Sequence, residues 1–268
     1  MSENRDRLWW VLRIGAAACF VGHGAFGIIT KASWLPFFGL VGIGPDVAYK
    51  LMPIIGTIDI IAGLSVLVRP MPIVFLYMSV WALWTAALRP LSGGNVAEML
   101  ERAGNYGVPL AAVFLVSLPT TLRGWFAVAR PHDLDPVLSR RIASTLVLTS
   151  SVLLMGHGLL AIGAKPLLVS HHALLGLSGS GGATYGIGWF EVGLAVLVLA
   201  YPSTRVLAFV FAWKLASEAL FLAAGDPVWE FIERGGSYAA PLGLLVIATI
   251  YRLPRLQLGH VTLLAQTE

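Results

Sequence analysis

Residues 98–110 read Glu-Met-Leu-Glu-Arg-Ala-Gly-Asn-Tyr-Gly-Val-Pro-Leu, and residues 230–242 read Glu-Phe-Ile-Glu-Arg-Gly-Gly-Ser-Tyr-Ala-Ala-Pro-Leu. Glu98, Glu101, Arg102, Gly104, Tyr106, Pro109 and Leu110 recur as Glu230, Glu233, Arg234, Gly236, Tyr238, Pro241 and Leu242, always 132 residues on. Self-similarity at one fixed offset marks a duplicated structural unit. Working outward, Asp59 and Pro70 match Glu191 and Pro202, and Trp81 matches Trp213, at the same offset. Further toward the N-terminus, Gly22-His23-Gly24 and Lys31 match Gly156-His157-Gly158 and Lys165 at an offset of 134. The two-residue change falls in a loop, where length is tolerant.

The unit is a membrane one. Hydrophobic residues make up 57% of the chain and charged residues 12%, about half the charged share of a soluble domain. The apolar residues form blocks of about 20, long enough to cross a hydrocarbon core of roughly 30 Å as helices. Eight blocks are legible, at about 8–30, 51–68, 71–90, 106–122, 141–163, 183–201, 203–224 and 237–252. The expectation is an all-α integral membrane protein with eight transmembrane helices. Four helices per unit is an even number, so both copies enter from one side. They should form two parallel four-helix repeats related by a pseudo-twofold axis along the membrane normal. Residues 1–120 form the first repeat, 121–139 a cytoplasmic linker and 140–268 the second.

The net charge of +4 does not point to nucleic acid, because the basic residues lie mostly in loops without a basic stripe. With the N-terminus inside, Arg5, Arg7, Arg69, Arg123, Arg130, Arg140, Arg141, Arg205, Arg252 and Arg255 fall on the cytoplasmic side. Lys31, Lys50, Arg89, Arg102, Lys165 and Arg234 fall outside. The excess predicts a multi-pass protein with both termini cytoplasmic. The first block follows Arg5 and Arg7 and reads as a retained helix that also serves as the insertion signal. Cys19 is the single cysteine, which excludes thiol–disulfide chemistry within this chain.

Ionisable groups inside a bilayer are costly and mark function or packing. His23 lies eight residues before Lys31, roughly 12 Å below the outer end of the first helix. Asp59 lies about as deep in the second helix, so the two can pair and offset each other's burial. His157 and Glu191 repeat the arrangement. Each pair reads either as a ligand-binding element or as a tie between two helices, and the adjacent glycines permit close helix approach. In the second half, Lys214 and Glu218 are i,i+4 neighbours where the first half has Ala82 and Ala86. The richer buried charge predicts that, if one half alone keeps a working pocket, it is the second. The expected ligand-binding residues are therefore His23, Lys31, Asp59, His157, Lys165, Glu191, Lys214 and Glu218.

Residues 95–103 and 227–235 have Val96, Met99 and Leu100, and Val228, Phe231 and Ile232, at helical spacing. They predict short amphipathic helices on the outer surface, as structural caps or as lids over a pocket. His171 and His172 read as an exposed loop pair with no complementary metal ligands, and no metal site is expected. A haem reading needs His23 and His157 to approach the repeat axis together. Trp9, Trp10, Trp34, Trp125 and Trp229 fall near expected interfaces, while Trp81, Trp84 and Trp213 lie deeper.

Each half resembles the DoxX-like family of four-helix membrane proteins. The matching residues are Arg13, Gly22-His23-Gly24, Lys31, Asp59 through Gly63 and Leu64, and Arg69 in the first half. In the second half they are His157-Gly158, Lys165, Glu191, Gly193 and Leu194. The tandem arrangement departs from the single unit typical of that family and would replace a homodimer by a fused pseudo-dimer. The resemblance implies a bacterial cytoplasmic (inner) membrane protein tied to redox systems, including thiosulfate:quinone oxidoreduction. The leading expectation is a membrane component of a redox system that binds a small ligand, such as a quinone head group, in an outward-facing pocket. Haem is the less favoured cofactor. Partners would be the lipid bilayer and subunits of a membrane redox complex. A small-solute or proton-coupled transporter and a non-catalytic scaffold subunit stay open as alternatives, so the pattern does not decide whether the chain is an enzyme.

Overall fold

The computed structural model describes residues 2–116, 118–176 and 181–251. Every regular element among them is helical: α1 (Ser2–Ile28), α2 (Leu35–Gly39), α3 (Pro45–Val68), α4 (Pro72–Leu91), α5 (Val96–Leu100), α6 (Ala103–Leu115), α7 (Leu122–Trp125), α8 (Pro136–Ile162), α9 (Pro166–Ala173), α10 (Gly181–Ala200), α11 (Thr204–Ala223), α12 (Val228–Ile232) and α13 (Gly235–Ile250). Arg252 and Arg255 lie outside the described residues.

Among the described residues, six helices are long and apolar enough to cross a membrane: α1, α3, α4, α8, α10 and α11. Large apolar side chains stay exposed along them, among them Ile54, Ile58, Ile61, Leu64, Val80, Leu83, Val196 and Phe209. Such a surface suits lipid and not water, and the chain is a multi-pass membrane protein. The blocks read at 106–122 and 237–252 are shorter as helices. α6 has 13 residues and α13 has 16, which rise roughly 20 and 24 Å, less than the roughly 30 Å core. The apolar run continues past Leu115, but the chain turns there. Pro119 follows, and the linker folds back so that the His132 amide donates to Leu115 O (2.9 Å) and the Ala129 amide to Pro70 O (2.8 Å).

α1 packs on α3, α8 on α10, α4 on α6 and α11 on α13. Between the two halves of the chain, α6 and α13 pack on each other, and each also touches both α1 and α8. Where α6 meets α13, Gly104 lies against Gly236. A Cβ on Gly104 would lie 2.4 Å from the Gly236 carbonyl carbon, so neither position admits a side chain. The core around this contact is built from Leu8, Leu12, Val108, Leu146, Ala240 and Leu244.

Local sequence also explains how α1 and α8 end. Thr30 (φ 55°) and Ala164 (φ 51°) adopt the left-handed conformation. The next amides, of Lys31 and Lys165, return to Phe26 O (3.1 Å) and Leu160 O (3.0 Å). This turn satisfies carbonyls that the helix end would leave unpaired, and it starts Lys31 and Lys165 at equivalent places. At the other end, Arg13 Nε donates to Val66 O (2.7 Å) and its Nη2 to Leu67 O, tying α1 to the last turn of α3. The second half has Val147 at the corresponding position and no such clamp.

Candidate functional site

The glycines beside each histidine set the geometry. Gly24 meets Gly56 of α3: a Cβ at Gly24 would sit 2.5 Å from Gly56 O, and one at Gly158 would sit 2.7 Å from Gly188 O. These contacts draw the helices together, and the carboxylates lie one turn further on, at Asp59 and Glu191. Gly22 and Gly156 face the other way. A Cβ at Gly22 would lie 2.3 Å from the Glu233 amide nitrogen, and one at Gly156 would lie 2.2 Å from that of Glu101. The segments around α5 and α12 therefore rest on the first long helix of the other half, α8 and α1.

Both histidine–carboxylate pairs form. His23 Nδ1 lies 2.8 Å from Asp59 Oδ2, and His157 Nδ1 lies 2.5 Å from Glu191 Oε2. Both carboxylates are fully buried. The free carboxylate oxygens are met differently. The Tyr77 hydroxyl donates to Asp59 Oδ1 at 3.4 Å, whereas Trp213 Nε1 donates to Glu191 Oε1 at 2.8 Å. The His23 ring also stacks on Trp34, centroid to centroid at 4.6 Å.

Only the first pair borders a sizeable space. A cavity of about 240 Å³ lies between α3 and α4. Leu51 and Ile55 of α3 form one wall, and Trp81, Ala82, Trp84, Thr85, Leu88 and Arg89 of α4 the other. Phe37, Phe38 and Trp34 of the segment between α1 and α3 close it at one end, and His23, Arg102, Asn105 and Glu233 form a polar end. α3 and α4 touch little along their length, and Trp84 at the rim is 44% exposed, so the cavity adjoins the lipid-facing surface.

The expectation that the second half holds the pocket is corrected. Lys214 and Glu218, where the first half has Ala82 and Ala86, occupy the equivalent space. Lys214 Nζ lies 2.7 Å from Glu218 Oε1 and 3.8 Å from Glu191 Oε1, and Arg234 Nε lies 2.7 Å from Glu218 Oε2. Phe190 of α10 packs against Trp213 at 4.8 Å. What is left is a polar void of about 20 Å³ between the halves, bordered by His157, Glu218, Arg234, Glu101 and Arg102. Two long charged side chains in place of two methyl groups turn a hollow into a closed ion-pair network.

Lys31 and Lys165 do not line the cavity. Lys31 Nζ reaches Glu230 Oε1 at 2.6 Å, and Lys165 Nζ reaches Glu98 Oε1 and Glu101 Oε1 at 3.4 and 3.5 Å. Each lysine thus clasps the outer segment of the other half. These segments are caps and also walls, because Glu233 and Arg102 belong to the cavity. Burial would raise the Glu101 carboxyl, but Arg102 and Lys165 outweigh it and bring it down to about 2. Burial opposes the Arg234 charge, yet Glu218 and Glu233 raise its pKa above the ordinary value. Glu230 is likewise lowered, burial being overcome by Arg234 and Lys31.

His171 and His172 are buried and not exposed, at 3% and 4%. They diverge: His171 Nε2 meets Asp226 Oδ2 at 2.9 Å, and His172 Nδ1 meets Thr184 Oγ1 at 3.1 Å. Burial and the nearby His157 lower the His172 pKa, with Glu191 pulling the other way. No cluster of three metal-ligating side chains occurs among the described residues. His23 and His157 each meet the carboxylate of their own half and border different spaces. Trp34 is a buried partner of His23 rather than an interface anchor.

Arg89, Asn105, Phe37 and Phe38 were not legible as site residues. Arg89 read only as a positive charge at the outer end of the block 71–90. The signal that singles it out is the offset itself, since Phe221 stands 132 residues on. No family model, curated protein or solved structure matches this chain.

Proposed function

We propose that this is a DoxX-like membrane component of a redox system whose first half binds one small amphiphilic ligand, of the quinone class, in the cavity between α3 and α4. The observation that carries this reading is a 240 Å³ space with aromatic walls and one polar end, where His23 is backed by the buried Asp59. Pockets for drug-sized molecules are roughly 300–1,000 Å³, so the space suits a single ring, with a tail left among the lipids. An imidazole hydrogen-bonded to a carboxylate can hold or pass a proton, and quinone chemistry consumes and releases protons. The chain has no flavin, nicotinamide or iron–sulfur motif, and electrons would come from a partner redox protein.

The same reading takes the chain as eight spans in two parallel four-helix repeats with pseudo-twofold symmetry, both termini in the cytoplasm of a bacterial inner membrane. Its support is the sequence offset, the basic-residue bias and the recurrence of equivalent helix pairings and cross-half contacts. The short α6 and α13 would then span a locally thinned region, or be completed by flanking chain.

The test is titration of the full chain in lipid nanodiscs with a short-tailed quinone, read by quenching of tryptophan fluorescence. We expect saturable binding, abolished by His23→Ala and strongly weakened by Asp59→Asn, with circular dichroism unchanged. Undiminished binding to a folded His23→Ala variant would remove the basis of the reading. Solute accumulation in proteoliposomes with no saturable quinone binding would favour a transporter.

A further inference from the structure

The cavity wall contains two polar hydrogens without a partner. Among the described residues, Trp81 Nε1 and Arg89 Nε are buried and make no hydrogen bond. Both side chains line the cavity. A buried donor left unpaired costs about 1–3 kcal/mol; of the five buried side-chain atoms without a hydrogen bond among the described residues, these two flank the same empty space. The matched residues of the second half are settled differently. Trp213 Nε1 donates to Glu191 Oε1 at 2.8 Å, and Phe221 replaces Arg89 and lies under the Arg234 guanidinium at 3.7 Å.

The cause of the difference is one methylene. Glu191 is long enough to meet His157 with one oxygen and the indole of Trp213 with the other. Asp59 is shorter, and its second oxygen takes only the long 3.4 Å contact from Tyr77, leaving the Trp81 indole free. Arg89 is only partly neutralised. Its Nη1 lies 3.8 Å from Glu98 Oε2, and Glu98 also serves Lys165 through its other oxygen. Its guanidinium lies 5.4 Å from the centre of the Phe37 ring, which lines the same cavity.

We propose that Trp81 and Arg89 are the residues that read the ligand, and that the ligand is a ring with two acceptor oxygens, one for each donor, reaching the site from the bilayer through the gap between α3 and α4. The inference rests on the cavity being the ligand site and adds what the ligand must present. Trp81 and Arg89 are eight residues apart on α4, roughly 12 Å along the axis, and both side chains turn toward the cavity from opposite ends of its wall. A ligand with one acceptor would leave one of the two hydrogens unpaired. A pure hydrocarbon would leave both. The second half, with its indole already engaged and Phe221 in place of Arg89, binds nothing of this kind, so each chain takes one ligand.

The experiment compares three probes of one size and shape against the full chain in nanodiscs by titration calorimetry: tetramethylbenzoquinone with two carbonyls, tetramethylphenol with one oxygen, and tetramethylbenzene with none. The expected order of affinity is two oxygens, one, none, with one site per chain. Trp81→Phe should weaken the quinone about fivefold and Arg89→Gln about tenfold or more, the typical worth of a neutral and of a charge-assisted hydrogen bond. Each loss should exceed the variant's change in affinity for tetramethylbenzene, which measures damage to the cavity wall itself. If the quinone binds wild type but both variants keep the wild-type ratio of quinone to hydrocarbon affinity, the assignment of these donors is wrong while the cavity remains the site. If none of the three probes binds wild type, the cavity reading itself fails, and this inference with it.

Discussion

The two halves of this chain share a histidine–carboxylate pair yet differ in what surrounds it. Around His23 and Asp59 there is a hollow of about 240 Å³ walled by tryptophan and phenylalanine. Around His157 and Glu191 there is a closed set of charges, Lys214, Glu218 and Arg234, and no room. The difference teaches that buried charge is not by itself a sign of a binding site. Lys214, Glu218 and Arg234 balance one another's charge within the protein, whereas the proposal above gives the free hydrogens of Trp81 and Arg89 a ligand as their partner. The second half reads as a rigid counterpart that supports the first, through Glu233 in the cavity wall and through the Lys31–Glu230 clasp.

The comparison can be broken outright by making the first half like the second. Ala82→Lys with Ala86→Glu should fill the cavity and abolish binding of tetramethylbenzoquinone while the chain still folds, as calorimetry and thermal unfolding together would show. Surviving affinity would mean that the ligand sits elsewhere. The next largest effect should come from unbalancing the second half. Glu218→Ala leaves Lys214 and Arg234 short of a buried counter-charge and should destabilise by about 3–5 kcal/mol, read as a lowered midpoint of thermal unfolding in detergent. Lys214→Ala with Glu218→Ala removes both members and should cost less than the single change. If the double variant is the less stable one, the network is cooperative in a way that pairwise charge balance does not describe.

Acid should act on the clasp between the halves. Glu101 is held at about 2 by Arg102 and Lys165, against the burial that would raise it. A depressed carboxylate contributes stability that is fully present above its unfolded value of about 4.3. That contribution fades as pH falls from there through about 2, by roughly 3 kcal/mol at most. Glu101→Gln should flatten this part of the stability–pH curve between those limits. An unchanged acid limb would assign the loss to other groups. The smallest effect sharpens the comparison of the two pairs. Trp213→Phe removes a 2.8 Å bond to a buried carboxylate and should cost about 1.5–3 kcal/mol. Tyr77→Phe removes a 3.4 Å contact and should cost under about 1 kcal/mol. Equal losses would show that Asp59 depends on Tyr77 as strongly as Glu191 depends on Trp213.

Much of the architecture was legible because it rests on period and composition. Apolar blocks of helical length, an offset of 132 and paired residues such as His23 with Asp59 are properties of a linear string, and helix rise converts them directly into depth. The count of spanning helices was less secure. An apolar run shows where a helix could continue, whereas the end of α6 is decided by Pro119 and by the amides of Ala129 and His132 finding acceptors. The outer segments were recognised as amphipathic, but nothing local says that the Glu101 backbone rests on Gly156 and that of Glu233 on Gly22. The histidines at 171 and 172 look like surface and are buried, because their partners lie on other elements, Thr184 on the following helix and Asp226 more than 50 residues on.

By itself, then, the sequence determined a helical membrane protein with a duplicated pattern and two histidine–carboxylate pairs, since each follows from spacing along one chain. Which half is hollow was decided only in the tertiary structure. Lys214 and Glu218 look like added function in the string, but in space they fill what two alanines leave empty. Volume and hydrogen-bond satisfaction are sums over neighbours from several helices, and no single stretch of chain contains them.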